Sequence, residues 1–167
     1  LSRLNYSFDD RYFVTVNFRS DASSRFGPEN KWGHFPSFAG AWKISNESFF
    51  DVPVINLLKL RGGWGKIGNE NIGDYLYESF INAFATYPFG SGLPRAGIQT
   101  VVSDPGIKWE ERTTSSIAFD AALFRSRLEF SAEYYHNVAE DILYDIPIPL
   151  TVGSQEFPTI NAASMVN

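Results

Sequence analysis

Leu4-Asn5-Tyr6-Ser7-Phe8-Asp9-Asp10-Arg11-Tyr12-Phe13-Val14-Thr15-Val16-Asn17-Phe18 decides the fold of this chain. Leu4, Tyr6 and Phe8 alternate with Asn5 and Ser7, and beyond Asp9-Asp10-Arg11 the residues Tyr12, Val14, Val16 and Phe18 alternate with Phe13, Thr15, Asn17 and Arg19. A period of two places every second side chain on one face of an extended strand. Two such runs across three polar residues predict an antiparallel hairpin with one apolar and one polar face.

The pattern recurs along the chain. Phe38, Gly40, Trp42 and Ile44 oppose Ser37, Ala39, Ala41 and Lys43; Leu58, Leu60, Gly62 and Trp64 oppose Lys59, Arg61 and Gly63. Ile117, Phe119, Ala121 and Leu123 oppose Ser116, Ala118, Asp120 and Ala122, and Leu128, Phe130, Ala132 and Tyr134 oppose Glu129, Ser131, Glu133 and Tyr135. About six strands are expected, of the roughly 9–11 residues that a tilted membrane strand needs.

Connector lengths separate two kinds of sheet. Asp9-Asp10-Arg11 and Arg125-Ser126 are short, and 45–56 is of middling length. The connections 20–34 and 66–108, and everything after Asn137, read as long. Short turns alternating with long loops are expected where one end of a barrel faces the periplasm and the other the exterior. Taken alone, the alternation also describes a soluble antiparallel sheet with one wet face.

Composition agrees with a two-faced sheet. Aromatic residues make up 16% of the 167 residues and charged residues 20%, with a mean hydropathy of -0.18. No run approaches the roughly 20 apolar residues of a membrane helix. Phe8, Tyr12, Trp42 and Phe124 fall near the short-turn end, and Trp64, Trp109 and Tyr134 near the long-loop end. Two belts of such rings are expected at the two headgroup levels of a membrane barrel. A net charge of -5 disfavours nucleic acid as a partner. The chain opens Leu1-Ser2-Arg3 and closes Met165-Val166-Asn167, which reads as a fragment of a longer protein.

Residues that spell chemistry lack its context. With Cys 0 there is no disulfide, thiolate site or cysteine nucleophile. Gly63-Trp64-Gly65-Lys66-Ile67-Gly68 spells G-x-G-x-x-G, but Asn69-Glu70-Asn71-Ile72-Gly73-Asp74 follows instead of a helix. Without a helix N-terminus to meet a pyrophosphate, the expected role is a strand end that breaks into a loop. His34 and His136 have no partners at metal-ligand spacing. Asp9-Asp10, Glu110-Glu111 and Glu140-Asp141 are adjacent pairs, which point to opposite faces of a strand. Asn5-Tyr6-Ser7 and Asn46-Glu47-Ser48 match the glycosylation pattern, which matters only in a eukaryotic secretory context. The expectation is no catalytic, cofactor or metal site.

The blocks themselves resemble a known family. Asn5-Tyr6-Ser7-Phe8-Asp9-Asp10-Arg11-Tyr12 resembles the N-Y-x-Y-x-D-R-Y hairpin of the SusC/RagA family of TonB-dependent outer-membrane receptors. Arg19-Ser20-Asp21-Ala22-Ser23-Ser24-Arg25-Phe26-Gly27 is similar to that family's R-x-D-G-S-S-R-F-G, with Ala22 where Gly is usual. Lys31-Trp32-Gly33-His34-Phe35-Pro36-Ser37, Ala41-Trp42-Lys43-Ile44-Ser45, Leu58-Lys59-Leu60-Arg61 and Gly68-Asn69-Glu70-Asn71-Ile72-Gly73 follow in the family's order. Pro105-Gly106-Ile107-Lys108-Trp109-Glu110 resembles its N-P-x-L-K-W-E segment, with Asp104 for Asn. Residues 75–99 match no block of the family.

The resemblance implies that 1–167 is an all-β partial barrel domain, an antiparallel meander of transmembrane hairpins from a wall of about 22 strands around a plugged lumen. It implies a bacterial outer-membrane location and lipid contact, with a plug domain and a TonB-contacting segment on other parts of the chain. It implies a SusD-like surface lipoprotein as lid, oligosaccharides or peptides as cargo, and no cofactor. Arg3, Asn5, Thr15, Asn17, Arg19, Lys59, Arg61, Asp120, Glu129 and Glu133 are expected to face the lumen. Trp32, Tyr75, Tyr77, Tyr87 and Trp109 are the loop candidates for stacking on substrate. A passive porin or adhesin barrel, and a soluble all-β carbohydrate-binding module, remain as alternatives.

Overall fold

A computed structural model describes residues 1–153 and 156–167. The chain forms nine strands: β1 (Ser2–Phe8), β2 (Tyr12–Ala22), β3 (Trp32–Lys43), β4 (Ile55–Asn69), β5 (Ile81–Thr86), β6 (Arg95–Gln99), β7 (Glu110–Leu123), β8 (Leu128–Asp145) and β9 (Thr159–Val166). Seven make one antiparallel sheet in the order β1-β2-β3-β4-β7-β8-β9, and β5 and β6 form a separate hairpin. Among the described residues the sheet is open, with β1 and β9 at its edges, and no second layer covers either face of its middle. It is a segment of a barrel wall.

Register confirms the faces read from the sequence. Directly opposed residues of antiparallel strands share a face, and Leu4 pairs with Val16, Val16 with Phe38 and Phe38 with Trp64. Trp42 pairs with Leu60, Leu60 with Phe119, and Ala121 with Phe130. Of these, Leu4, Val16, Phe38, Phe119 and Phe130 stay exposed, from 37% for Phe119 to 65% for Leu4, and Trp42, Leu60 and Trp64 are half-buried. A soluble monomer rarely leaves so large a contiguous apolar face bare, whereas lipid solvates it.

The opposite face carries Asn5, Thr15, Ala39, Gly63 and Ser116 in one row, and Phe13, Ala41, Arg61, Ala118 and Glu133 in the next. Its polar groups are matched to each other. Arg61 donates from Nε and Nη2 to the two oxygens of Asp120 at 2.8 and 3.3 Å, and Ser131 Oγ donates to the same carboxylate at 2.7 Å. Arg3 Nε donates to Asn17 at 2.6 Å, and Asn17 passes a hydrogen bond to Ser37 Oγ at 3.1 Å. Short lateral bonds of this kind satisfy polar groups along a wall that has no backbone partner to offer.

Turn chemistry explains the tight ends. Asp9 and Asp10 take φ of 53° and 50°, both left-handed as at the centre of a type I′ turn, which Arg11 N closes on the Phe8 carbonyl at 3.0 Å. Phe124, Arg125 and Ser126 are left-handed as well, and Asn56 Oδ1 accepts the amides of Arg125 and Ser126 at 2.6 and 3.3 Å.

Three expectations change. Strands run longer at the long-loop end, so β2 reaches Ala22, β4 reaches Asn69 and β8 reaches Asp145. Gly63 to Gly68 does not break into a loop, because β4 stays paired with β7 as far as Asn69↔Glu110. The segment after Asn137 is not one loop either: β8 continues and β9 returns beside it, through Val138↔Val166 to Asp145↔Thr159 with two register shifts. In β9 the alternation is weak, since Ala162 and Ala163 are equally small.

Candidate functional site

The connections 23–31, 70–109 and 146–158 lie at one end of the sheet and 9–11, 44–54 and 124–127 at the other, so the two longest share an end, although 44–54 is longer than 23–31. The short-turn end is closed by a carboxylate. Glu47 Oε1 accepts from Tyr12 OH at 2.6 Å and from Trp42 Nε1 at 2.9 Å, and Oε2 accepts from Arg11 Nη1 at 3.1 Å. Beside it Asp10 takes Lys43 Nζ at 2.9 Å and Asn46 Nδ2 at 3.0 Å. Arg11 also pairs with Asp9. The clasp ties the β1–β2 turn to the β3–β4 connection. It satisfies the polar atoms of two belt rings that stack at 6.4 Å.

The hydrogen bonds from Tyr12, Trp42 and Arg11 hold the Glu47 carboxyl below its ordinary value. Lys43, by hydrogen bond and charge, does the same for Asp10. A carboxyl depressed in the folded chain stabilises it fully above the unfolded glutamate value of about 4.3. That contribution is lost as pH falls through the lower, folded value. In the intact protein, Glu47→Gln therefore lowers the urea-unfolding midpoint at pH 7, and the gap to wild type closes below about pH 4. Asp10 titrates equally in both proteins and drops out of the comparison. A gap that stays constant across this range would mean that the carboxylate charge is not what holds the rim.

At the long-loop end a small core forms above the membrane face. Phe26, Phe35, Ile107 and Trp109 are buried together, with Ile72, Leu76, Tyr77 and Leu143 packed against them. The Trp109 ring centroid lies 5.1 Å from that of Phe26 and 5.4 Å from that of Phe35. Polar ties surround the cluster. Asn30 Nδ2 donates to the Gly106 carbonyl at 3.0 Å, and Trp109 Nε1 donates to the Lys31 carbonyl at 3.4 Å. Arg25 donates to the Glu70 carbonyl at 3.0 Å and pairs with Asp74 at 3.2 Å. Asn161 on β9 holds Lys108 by two bonds of 2.9 Å, one to its amide and one to its carbonyl. The connection 70–109 is thus an ordered body with the β5–β6 hairpin at its tip.

Among the five aromatic candidates, Tyr75 and Tyr77 lie 6.3 Å apart, and Tyr77 reaches the core that holds Trp109. Trp109 is 8% exposed, so it belongs to this core and not to the outer aromatic belt expected from its place near a strand end. Its ring edge lines a groove of about 660 Å³, which also takes Arg3, Asn17, Arg19, Ser37 and Lys66 from the polar wall. Trp32 stands apart, on the face that carries Phe38 and Trp42. Tyr87 lies just past β5, exposed and away from the core. Phe35 lines the groove beside Trp109, and Phe26 and Ile107 pack with them. The sequence marks these three only as members of family-like blocks, because they fall in or beside connections that read as polar. Among the described residues no cluster of His, Asp or Glu could hold a metal ion.

The family model described as TonB dependent receptor-like, beta-barrel matches residues 2–167. The chain belongs to this family. TonB-dependent receptor SusC of Bacteroides thetaiotaomicron is 38% identical over 170 residues, covering 99% of this chain and 17% of SusC. TonB-dependent receptor P39 of Formosa agariphila is also 38% identical, over 91% of this chain and 14% of that protein. A chain from the structure of the RagAB peptide transporter superposes with a TM-score of 0.84 at 27% identity, covering 98% of this chain and 18% of that one. The chain therefore spans about a sixth of the length of the relatives it matches. As a TonB-dependent receptor segment it belongs to the bacterial outer membrane, with the exposed apolar face toward lipid and the Arg61–Asp120 face toward the lumen.

Proposed function

We propose that this segment is part of the wall and extracellular crown of a TonB-dependent importer that takes up oligosaccharides or peptides together with a SusD-like surface lipoprotein. The observation that carries the reading is the ordered, aromatic connection 70–109, seated on a wall whose family is that of SusC. The wall supplies position and the lumen lining, while the crown makes contact with cargo or lid. Tyr75 and Tyr87 offer exposed rings, Trp109 borders the groove with Tyr77 packed against its core, and Trp32 stands at the outer rim. Sugar faces and peptide side chains stack on such rings. A plug domain and the TonB complex act through other parts of the full receptor. No covalent chemistry is proposed for this segment.

The hairpin offers a clean test. Thr100 N already donates to the Phe80 carbonyl at 2.9 Å, so removal of 81–99 leaves ends that a short linker can join. Loop tips tolerate shortening where strand pairing is untouched. The full-length receptor lacking 81–99 should reach the outer membrane at normal levels. It should lose growth on the cognate nutrient, co-purification of the lipoprotein, or both. A strain that retains both at wild-type level would make the hairpin a passive cap.

A further inference from the structure

We infer that the connections 23–31 and 70–109 open and close as one cooperative body pivoted on Trp109, so that a ligand ordering either one orders the other. Local unfolding proceeds in contiguous units held by shared apolar contacts and hydrogen bonds. Here ring contacts and hydrogen bonds cross between the bases of the two connections. The Trp109 ring packs on Phe26, from the first connection, and on Phe35 of β3. Its indole N–H goes to Lys31 at the end of the first connection. Asn30 in turn caps the carbonyls of Gly106 and Ile107, at 3.0 and 3.3 Å. Neither connection can leave the sheet without exposing the other's core and stripping its backbone partners.

The β5–β6 hairpin stands outside this unit. Its ladder is broken by a register shift between Asn82 and Ala85, and Phe84 at its middle is 76% exposed beside Arg95. Gln99 ties it to the base at its foot, donating from Nε2 to Ser79 Oγ and to the Val101 carbonyl at 3.2 and 3.0 Å. The crown thus has a rigid base that spans two connections and a tip that moves independently of it. Contact made at the base is therefore felt across β3 and, through Leu143, at β8.

The test is native-state hydrogen exchange on the full-length receptor in detergent or native outer membrane, with no cargo required. In the wild type, amides of 23–31 and of the base of 70–109 should exchange through openings of equal free energy and equal urea dependence. Trp109→Ala should accelerate both segments by roughly tenfold or more and to a similar degree. Trp109→Phe should move both much less. Phe84→Ala should affect only 81–99. Acceleration of 70–109 in Trp109→Ala with 23–31 still protected would overturn the inference, as would unequal openings in the wild type. Because exchange is read without transport, a receptor that imports nothing would leave the result intact. A crown that fails this test would equally leave the proposed import standing.

Discussion

Phe119→Arg in the full-length receptor should cost roughly 2–4 kcal/mol of barrel stability, as lipid-facing arginines near the bilayer midplane do. Phe119 lies on the face of Leu60 and Phe130, with its ring 6.3 Å from that of Phe130. It is five residues above Phe124 in the β7–β8 turn. At a rise of about 3.3 Å and a tilt of about 40°, that is about 13 Å along the axis, half of an apolar band of about 25 Å. No acceptor waits there for a guanidinium: the neighbouring outward positions are Leu60, Ala132 and Phe130. Asp120→Asn, one residue away, should lose far less. An amide oxygen in the place of Oδ1 still accepts from Ser131 Oγ and Arg61 Nη2, only the acceptor of Arg61 Nε is lost, and Arg61 keeps Glu133 at 3.7 Å. Folded and unfolded barrel, separated by electrophoretic mobility over a guanidinium series, reads both variants. Equal losses would show that this assignment of the faces is wrong.

That experiment probes what alternation made plain. The faces of β1, β2, the lower halves of β3 and β4, β7 and β8 were legible because lipid and lumen impose opposite demands on successive residues. The pattern faded where those demands end. Above Trp64 the strands leave the apolar band, so β4 carries Lys66 and Gly68 and β7 opens with Glu110-Glu111-Arg112. Pairing continues there through backbone bonds, which leave no hydropathy signature. The same reasoning covers β9, whose small residues show little contrast between faces. The clasp escaped notice for a different reason. Glu47 sits between two polar residues in a connection, and only the fold brings it within reach of Tyr12 and Arg11. The block resemblance Lys31-Trp32-Gly33-His34-Phe35 did point to the crown core, but as a family mark without a contact to explain it.

Gly68 now has such a contact, and its replacement should open the crown while leaving the barrel inserted. A Cβ at this position would come within 2.1 Å of Phe35 Cζ and 2.4 Å of Cε1, and 3.0 Å from Trp109 Cε3. Gly33 approaches the same ring from another side, where a Cβ would meet Phe35 Cζ at 2.4 Å. The Phe35 edge is therefore seated between two glycines, and Trp109 blocks its retreat. Gly68, the last glycine of the stretch that spells a nucleotide motif, serves this close packing, and Gly65 serves another, where a Cβ would meet Ser37 Cβ at 2.7 Å. Gly68→Ala should cost the crown about 1–3 kcal/mol, the usual range for overpacking a tight site. Gly40→Ala is the matched control, because its nearest neighbour is the Phe13 carbonyl at 3.9 Å. Protease cleavage within 70–109 on intact cells should rise for Gly68→Ala and stay at the wild-type rate for Gly40→Ala, with equal amounts of both in the outer membrane. Phe35→Leu should destabilise the wild type by leaving a cavity, yet relieve part of the Gly68→Ala defect, since contacting residues couple non-additively. If Gly68→Ala is cleaved no faster than Gly40→Ala, the ring has room to move and the crown is not held by this packing.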